Sequence, residues 1–578
     1  MTKVPPSEAM RKRPEELLSS VRIEPSWIVR RATRLKRSSR SDRLAGSASS
    51  TPRVPGSQTG AIATKALLLA SVLLTACGTL PADVERAPST SLGPAATSPL
   101  AQLAENSIAE PGLTGFRLLP LGPYALGARI ELARRAHESI DAQYYLIAND
   151  RTGRFFMRTL RDAALRGVRV RLLIDDLYTA GSDEMFTGLA AFPNVEVRLF
   201  NPFCCGRESI PGKYIASLGD FTRLNHRMHN KLFVVDGALA VMGGRNIADE
   251  YFTRSATNNF VDMDVLAVGA ALARLQSIFD MYWNSPQAYP IKTIVHTSAD
   301  TESQRRAFDV LVDEGDQMTT ITPPAVDILG YGPITEDLES GRLGLVWGRA
   351  IAFADPPAKV MAASSEEATA MSVQMDIMAR VNAAKTDVIV SSPYFIPGER
   401  GVRELAELAN RNVRIMVLTN SLAATDEPLV HIGYARYRPA LLRSGVELYE
   451  LSPGRSKANE RLGLPGQSLG RLHAKAAVMD QTTVYIGSMN LDPRSDSTNT
   501  ELGLVAECPE LAREVARALR VSGQMSAYRV RIASDPAGLE WVVPGDEQGV
   551  SFTVEPESGA WLRFKNKLLS PFVPEHLL

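Results

Sequence analysis

Cysteine and histidine are scarce in this chain, with four of the first and seven of the second among 578 residues. The cysteines are Cys77, the adjacent Cys204 and Cys205, and Cys508, and no metal-ligand spacing links them. A disulfide to Cys508 could form in an oxidising compartment, but buried free thiols are the expectation. Long apolar runs are lacking too: Ala66 to Ala76 is 11 residues, against the roughly 20 that a membrane-spanning helix needs. Net charge is absent, with 64 Lys/Arg balanced by 64 Asp/Glu. What remains is an ordinary globular composition, 45% hydrophobic and 22% charged, with length for two or three domains.

The zero net charge hides an asymmetry. Residues 1–60 carry 13 Lys/Arg against 5 Asp/Glu and have no apolar periodicity, so they read as a disordered basic extension. Residues 61–77 read as a lipoprotein signal: the apolar core ends in Leu74-Thr75-Ala76-Cys77-Gly78, which resembles a bacterial lipobox. Such a signal belongs at the very N-terminus, so the 60 residues before it suggest a start codon placed too far upstream. Cleavage before Cys77 would leave a body of 50 Lys/Arg and 59 Asp/Glu, since Lys65 goes with the extension's 13 cations. A body so acidic is a poor sequence-independent binder of nucleic acid, and no nucleic-acid partner is expected. Nor would bulk charge hold it to anionic lipid. A lipid on Cys77 would, placing the protein on an extracytoplasmic face of the envelope; no Asp follows Cys77, so the outer membrane is open to it.

Beyond a tether expected at 78–111, the chain repeats itself. "RMHNKLFVVD" (227–236) has its echo in "RLHAKAAVMD" (471–480), giving His229, Lys231 and Asp236 against His473, Lys475 and Asp480. Asn246 and Asn490 each lie 17 residues after their His. "FVDMDVLAV" then places Asp262 and Asp264 where "STNTELGLV" places Asn499 and Glu501. Upstream of both motifs, helices alternate with apolar strands such as "VRVRLLIDD" and "VRIMVLTNS", the pattern of parallel sheets covered by helices. The expectation is an α/β protein of two duplicated domains, 112–297 and 361–525, with a linking insertion at 298–360 and a C-terminal segment at 526–578. In that last segment "WLRFKNKLL" reads as a docked terminal helix, with an amphipathic membrane-touching helix as the alternative.

A His and a Lys two apart on a strand share a face. One such pair is commonly surface decoration; two in matching frames, brought together, would suit a phosphodiester. One imidazole attacks phosphorus while the other protonates the departing alkoxide. Lys231, Lys475, Asn246 and Asn490 then hold the non-bridging oxygens, the part a metal plays elsewhere, so no metal or other cofactor is called for. A nucleophilic His also needs a carboxylate on its far nitrogen. Glu501 and Asp264 fit that role, with Asp262 as an alternative. Asp236 and Asp480 end their strands and read as turn or ion-pair residues.

HxKxxxxD followed by G-G/S-x-N, present twice, resembles the phospholipase D superfamily over most of residues 112–525. The resemblance implies two tandem α/β sandwich domains related by a pseudo-twofold axis, sharing one active site, with His229 the nucleophile and His473 the acid. Gly244 stands where the second copy has Ser488, so a hydroxyl phosphate ligand is missing on that side. "VMGGRNIADEYF" and "NSLAATDEPLVHIGYARYRPALLRSGVELYEL" look like the bacterial cardiolipin synthase branch, closest to its C type. That implies transfer of a phosphatidyl group to phosphatidylglycerol at a membrane surface, with phosphatidylethanolamine as donor. Hydrolysis of phospholipids by the same site is the alternative, and a nuclease the more distant one. His431, Tyr434 and Tyr437 are candidates for a lipid pocket, with core packing the competing explanation for the tyrosines.

Overall fold

The computed structural model describes residues 80–313, 324–459, 468–534, 538–546 and 549–574. The basic extension, the signal and Cys77 lie outside the described residues.

Each half of the chain forms a mixed sheet with the same order over eight strands, and the second half adds Leu539–Val542 and Ser551–Phe552 at its far edge. In the first half it runs Thr114–Leu119, Asp264–Gly269, Leu239–Gly243, Leu232–Val235, Ser139–Tyr144, Arg169–Asp175, Val195–Phe200, Ala288–Pro290. In the second it runs Val346–Ala354, Leu502–Glu507, Thr483–Gly487, Ala476–Met479, Asp387–Ser391, Arg414–Asn420, Glu447–Leu451, Ala527–Ile532. The edge strands Thr114–Leu119 and Val346–Ala354 pair antiparallel and join the two sheets. Val346–Ala354 falls inside the segment expected as a linker; its pairing makes it the first strand of the second half.

Apolar residues on both faces of the central strands explain the layering. "LFVV" and "AAVM" are buried throughout, because one face meets helices and the other faces the opposite half. Between the halves, Phe116, Val234, Met242 and Val265 share one core with Ile389, Val478, Ile486 and Leu504, and the helices Ala271–Trp283 and Pro509–Ser526 complete it. Outer cores lie under Gly122–Arg135 and Arg151–Leu165 in the first half and under Gln374–Asn382 and Gly398–Asn410 in the second. Asp150 caps its helix by accepting from the Gly153 amide at 2.8 Å.

The segment expected as a free tether is docked instead. Leu80 packs against the first-half core, Arg86 donates to the Ala288 carbonyl, and Ser91 donates to Asp280. Trp283 donates to Ser89 at 2.9 Å. The helix Pro99–Ser107 buries Leu100, Ala101 and Ala104. Pro, Ser and Thr gave no periodic signal here because the contacts are made by single side chains and backbone groups.

The C-terminal helix Ala560–Leu569 docks through Asn566, which donates to the Pro428 carbonyl at 3.3 Å. Its opposite face is open: Trp561, Phe564 and Leu568 are 73%, 56% and 58% exposed. No helix among the described residues is long and apolar enough to cross a membrane. Cys204 and Cys508 are free thiols.

Candidate active site

The two HxK segments enter their strands at the junction of the halves, where Asn258–Val261 runs parallel to Leu469–Leu472. The backbone there is exchanged. The His229 amide donates to the Thr500 carbonyl at 2.9 Å, and the His473 amide to the Val261 carbonyl at 2.8 Å. Each histidine is thus hung from the strand that carries a carboxylate of the other half.

The side chains follow the same crossing. His229 Nδ1 lies 3.0 Å from Glu501 Oε2, and His473 Nδ1 lies 2.6 Å from Asp262 Oδ2. A carboxylate on Nδ1 fixes the proton there and leaves Nε2 with its lone pair toward the site. Lys231 and Lys475 each donate to the backbone carbonyl of their own His, at 2.6 and 2.7 Å. All four cation-forming side chains, both carboxylates, Asn246 and Asn490 are buried. The amide oxygens of both asparagines have no hydrogen-bond partner within the described structure.

Asp264, expected as a histidine's carboxylate, meets neither His229 nor His473. It is buried between Arg129, at 3.0 Å, and Arg245, at 3.4 Å. Strand register explains the error. Gly243 lies opposite Asp264, whereas its counterpart Gly487 lies opposite Gly503. Counting back along each strand, Asp262 is the counterpart of Glu501, and Asp264 of Gly503. Asp262 lies 16 residues after Asn246 and Glu501 only 11 after Asn490, so an alignment without that longer loop slips. The first-copy glycine has the same origin: a Cβ on Gly244 would come within 2.1 Å of the Asp262 carboxylate. Ser488, expected on the substrate phosphate, instead donates to Glu501 and accepts from the Leu502 amide. It holds the carboxylate that holds His229.

Burial lowers His229 to about 4 despite the opposing pull of Glu501, with Lys231 lowering it further. Burial, with Lys475 beside it, also lowers His473. Both imidazoles are therefore neutral in the free protein at pH 7. Lys475 is lowered to about 8 by burial, against the carboxylates Asp262 and Glu501, and Lys231 is lowered well below its usual value. Burial raises Glu501, but His229, Lys231 and Ser488 outweigh it and hold the group below the ordinary range. Asp262 is likewise low: His473 and Lys475 overcome its burial.

Several supporting residues were not read from the sequence. Tyr145 stands edge-on to His229 with centroids 5.0 Å apart, and Tyr251 and Phe260 enclose His473 at 5.1 and 4.9 Å. The Asn246 side chain donates to the Tyr251 hydroxyl at 2.8 Å, and the Asn490 backbone N–H donates to Ser495 Oγ at 3.1 Å. Both partners stand five residues after their Asn, a repeat-level signal that the dissimilar side chains hid. Asp355 accepts from the Glu501 amide at 3.0 Å and from Lys359 at 2.8 Å. Burial raises its carboxyl to about 6.

Other expected residues lie elsewhere. Asp236 and Asp480 sit at the far ends of the HxK strands, with φ of 49° and 51°. Asp236 accepts from the amides of His137, Glu138 and Ser139, and Asp480 from those of Lys385, Thr386 and Asp387. Both pin hairpin turns to the preceding strand. His431 is buried against Glu555 and Arg438, and Tyr434 donates to Glu450 at 3.0 Å, so neither lines a lipid pocket. Tyr437 packs half-buried between two core clusters.

Comparison with known proteins agrees with this architecture. The family model described as "Cardiolipin synthase, PLD-like domain" matches residues 130–283 and 377–520. The chain is 37% identical over 471 residues to cardiolipin synthase C of Escherichia coli strain K12, covering 81% of this chain and 97% of that one. It is 27% identical over 409 residues to a cardiolipin synthase of Staphylococcus aureus strain Mu50, covering 69% and 66%. Among solved structures, phosphatidylserine synthase of Haemophilus influenzae Rd KW20 aligns with a TM-score of 0.52 at 14% identity, covering 83% of this chain and all of that one.

Proposed function

The chain belongs to the cardiolipin synthase family with a phospholipase D-like domain, and from that premise we propose that it makes cardiolipin by transferring a phosphatidyl group to phosphatidylglycerol. The crossed His–carboxylate pairs are the observation that carries this reading. Each histidine takes its carboxylate from the other half and also feels the lysine of the other half, which supports a single site built by both.

The steps use this chain's own residues. The donor phosphate lies between Lys231, Lys475, Asn246 and Asn490, whose charges and amides compensate the oxygens as negative charge gathers on them. His229 Nε2 attacks phosphorus, a P–N bond forms, and the P–O bond to the head group breaks. His473 gives its proton to the departing alkoxide. The phosphodiester anion, with Asp262 on Nδ1, favours the protonated imidazole that this step needs. In the second step neutral His473 takes the proton of a phosphatidylglycerol hydroxyl, whose oxygen displaces His229. Phosphatidylethanolamine is the donor we assign, on resemblance to the C-type enzymes.

We assign the site of action to a membrane surface, through a lipid on Cys77 on an extracytoplasmic face. The outward stripe of Trp561, Phe564 and Leu568, flanked by exposed Lys565 and Lys567, supports contact with a phospholipid surface. With Leu80 already packed on the first half, an anchor three residues earlier would hold the body close to the bilayer.

The test supplies purified protein with phosphatidylethanolamine and phosphatidylglycerol and identifies products by mass spectrometry. Cardiolipin with released ethanolamine is the expected result. Phosphatidic acid alone would make the protein a hydrolase, and cleaved oligonucleotides a nuclease. Trapping a slow substrate should label a peptide containing His229; label on residues 471–480 would reverse the two roles.

A further inference from the structure

We propose that the second half carries a binding site for a fatty acyl chain, in a cavity of about 240 Å³ whose equivalent position in the first half is occupied by aromatic rings. The cavity lies between the sheet and the helices Gln374–Asn382 and Gly398–Asn410.

Register makes the halves comparable residue by residue. Ala142 lies opposite Phe233 in the first half, as Val390 lies opposite Ala477 in the second. Phe156 stands 14 residues before Val170, and Gly401 stands 14 before Ile415; these strand residues pair alike, with Ile140 and Val388. In the first half the rings of Phe156 and Phe233 meet edge-on at 5.8 Å, and Phe156 meets Tyr144 at the same distance. All three are fully buried. In the second half Gly401 and Ala477 have no ring to offer, and both line the cavity. The rings that plug the first half are the ones the second half lacks.

An apolar void weakens a core in proportion to its volume, so a duplicated domain that opens one has a use for the space. Apolar cavities stay dry and accept apolar guests; about 150 Å³ is enough for benzene. The walls here include Met378, Val390, Phe395, Leu405 and Val417. The three wall hydroxyls are engaged: Thr369 donates to Asp496, Ser391 donates to the Ala474 carbonyl, and Tyr485 accepts from the Met489 amide. The charged wall residues are engaged as well, Arg400 with Glu404, Asp496 with Thr369 and Asp492 with the Ser495 amide, which leaves the apolar walls to meet a hydrocarbon chain.

The location joins the cavity to the chemistry. Ala476 and Ala477 follow Lys475, while Met489 and Leu491 flank Asn490, and all four line the cavity. At the outer end Met375, 45% exposed, and the exposed Arg400 mark the mouth. A chain belonging to the substrate phospholipid rests on the transfer reading above; a free fatty acid presents the same chemistry.

The test uses the full chain and two variants that fill the space from different walls, Ala477→Phe and Met378→Trp, with melting temperature as the folding control. The probe is a conjugated-polyene fatty acid that fluoresces only in apolar surroundings. Wild type should light it, and each folded variant should weaken its binding ~10-fold or more. In parallel, turnover is compared on long-chain and short-chain phosphatidylethanolamine in detergent micelles. A ~10-fold loss of long-chain preference, carried by KM, with short-chain kcat unchanged, assigns the chain to the substrate. Loss of polyene binding alone assigns it to free fatty acid. Absence of polyene binding in wild type, or equal binding by both filled variants, overturns the site. The binding arm needs no turnover, so a wild type that binds the polyene yet makes no cardiolipin would sink the transfer reading and leave the cavity standing.

Discussion

His229 and Glu501 are 272 residues apart in sequence and 3.0 Å apart in space, each contributed by a different half of the chain. Asp262 and His473 repeat the relationship in the opposite direction at 2.6 Å. Neither half can orient its own histidine, so the site exists only when both are folded against each other.

That crossing separates two acidic residues that sit two positions apart. Asp262→Asn should cut turnover ~10- to 100-fold with the fold intact, because the tautomer of His473 loses its determinant. Asp264→Asn should instead destabilise the protein by about 3–5 kcal/mol, since Arg129 and Arg245 would be left buried without their charge partner. Chemical denaturation and kcat, measured side by side, distinguish them; the reverse pattern would refute the assignment.

His229→Ala and His473→Ala should each remove ~3 decades or more of turnover, because in the proposed mechanism nucleophile and acid act as a unit. Near-normal rate in either variant would end the shared-site mechanism. Single-turnover kinetics on a soluble phosphodiester is the appropriate assay.

The pH profile should carry an alkaline limb. Burial lowers Lys475 to about 8, so its ammonium is lost as pH rises through that value, and the phosphate clamp weakens with it. The rate constant kcat/KM on a soluble substrate should be half-maximal near pH 8 on that side. On the acid side His229, lowered to about 4, stays neutral and nucleophilic down to that value in the free protein. A profile flat to pH 10 would show that the Lys475 charge is not needed.

Chelation should leave the rate on a soluble phosphodiester unchanged, because the proposed phosphate clamp of Lys231, Lys475, Asn246 and Asn490 needs no metal ion. Loss of activity in excess chelator, restored by one divalent ion, would contradict that division of labour.

Anchoring is tested at Cys77. Mass spectrometry of membrane-extracted protein should find no peptide from residues 1–76 and a diacylglyceryl group on the cysteine. If Cys77→Ser leaves processing and membrane association unchanged, the stripe Trp561, Phe564 and Leu568 becomes the candidate anchor.

The HxK pairs, the two asparagines and the α/β alternation could be read directly from the chain, because each is a local pattern and the duplication displays it twice. Strand alternation reports which residues share a face within one element, and that was enough to put His229 beside Lys231 and His473 beside Lys475. Which carboxylate serves which histidine was not legible. It depends on strand register across the two halves, and a loop five residues longer after Asn246 than after Asn490 displaces the local match. The docking of residues 80–111, the Asp264–Arg129 pair and the ring-free cavity at Gly401 and Ala477 were hidden for the same reason. Each arises from contact between segments far apart in sequence, and local pattern carries no record of such contacts until the chain has folded.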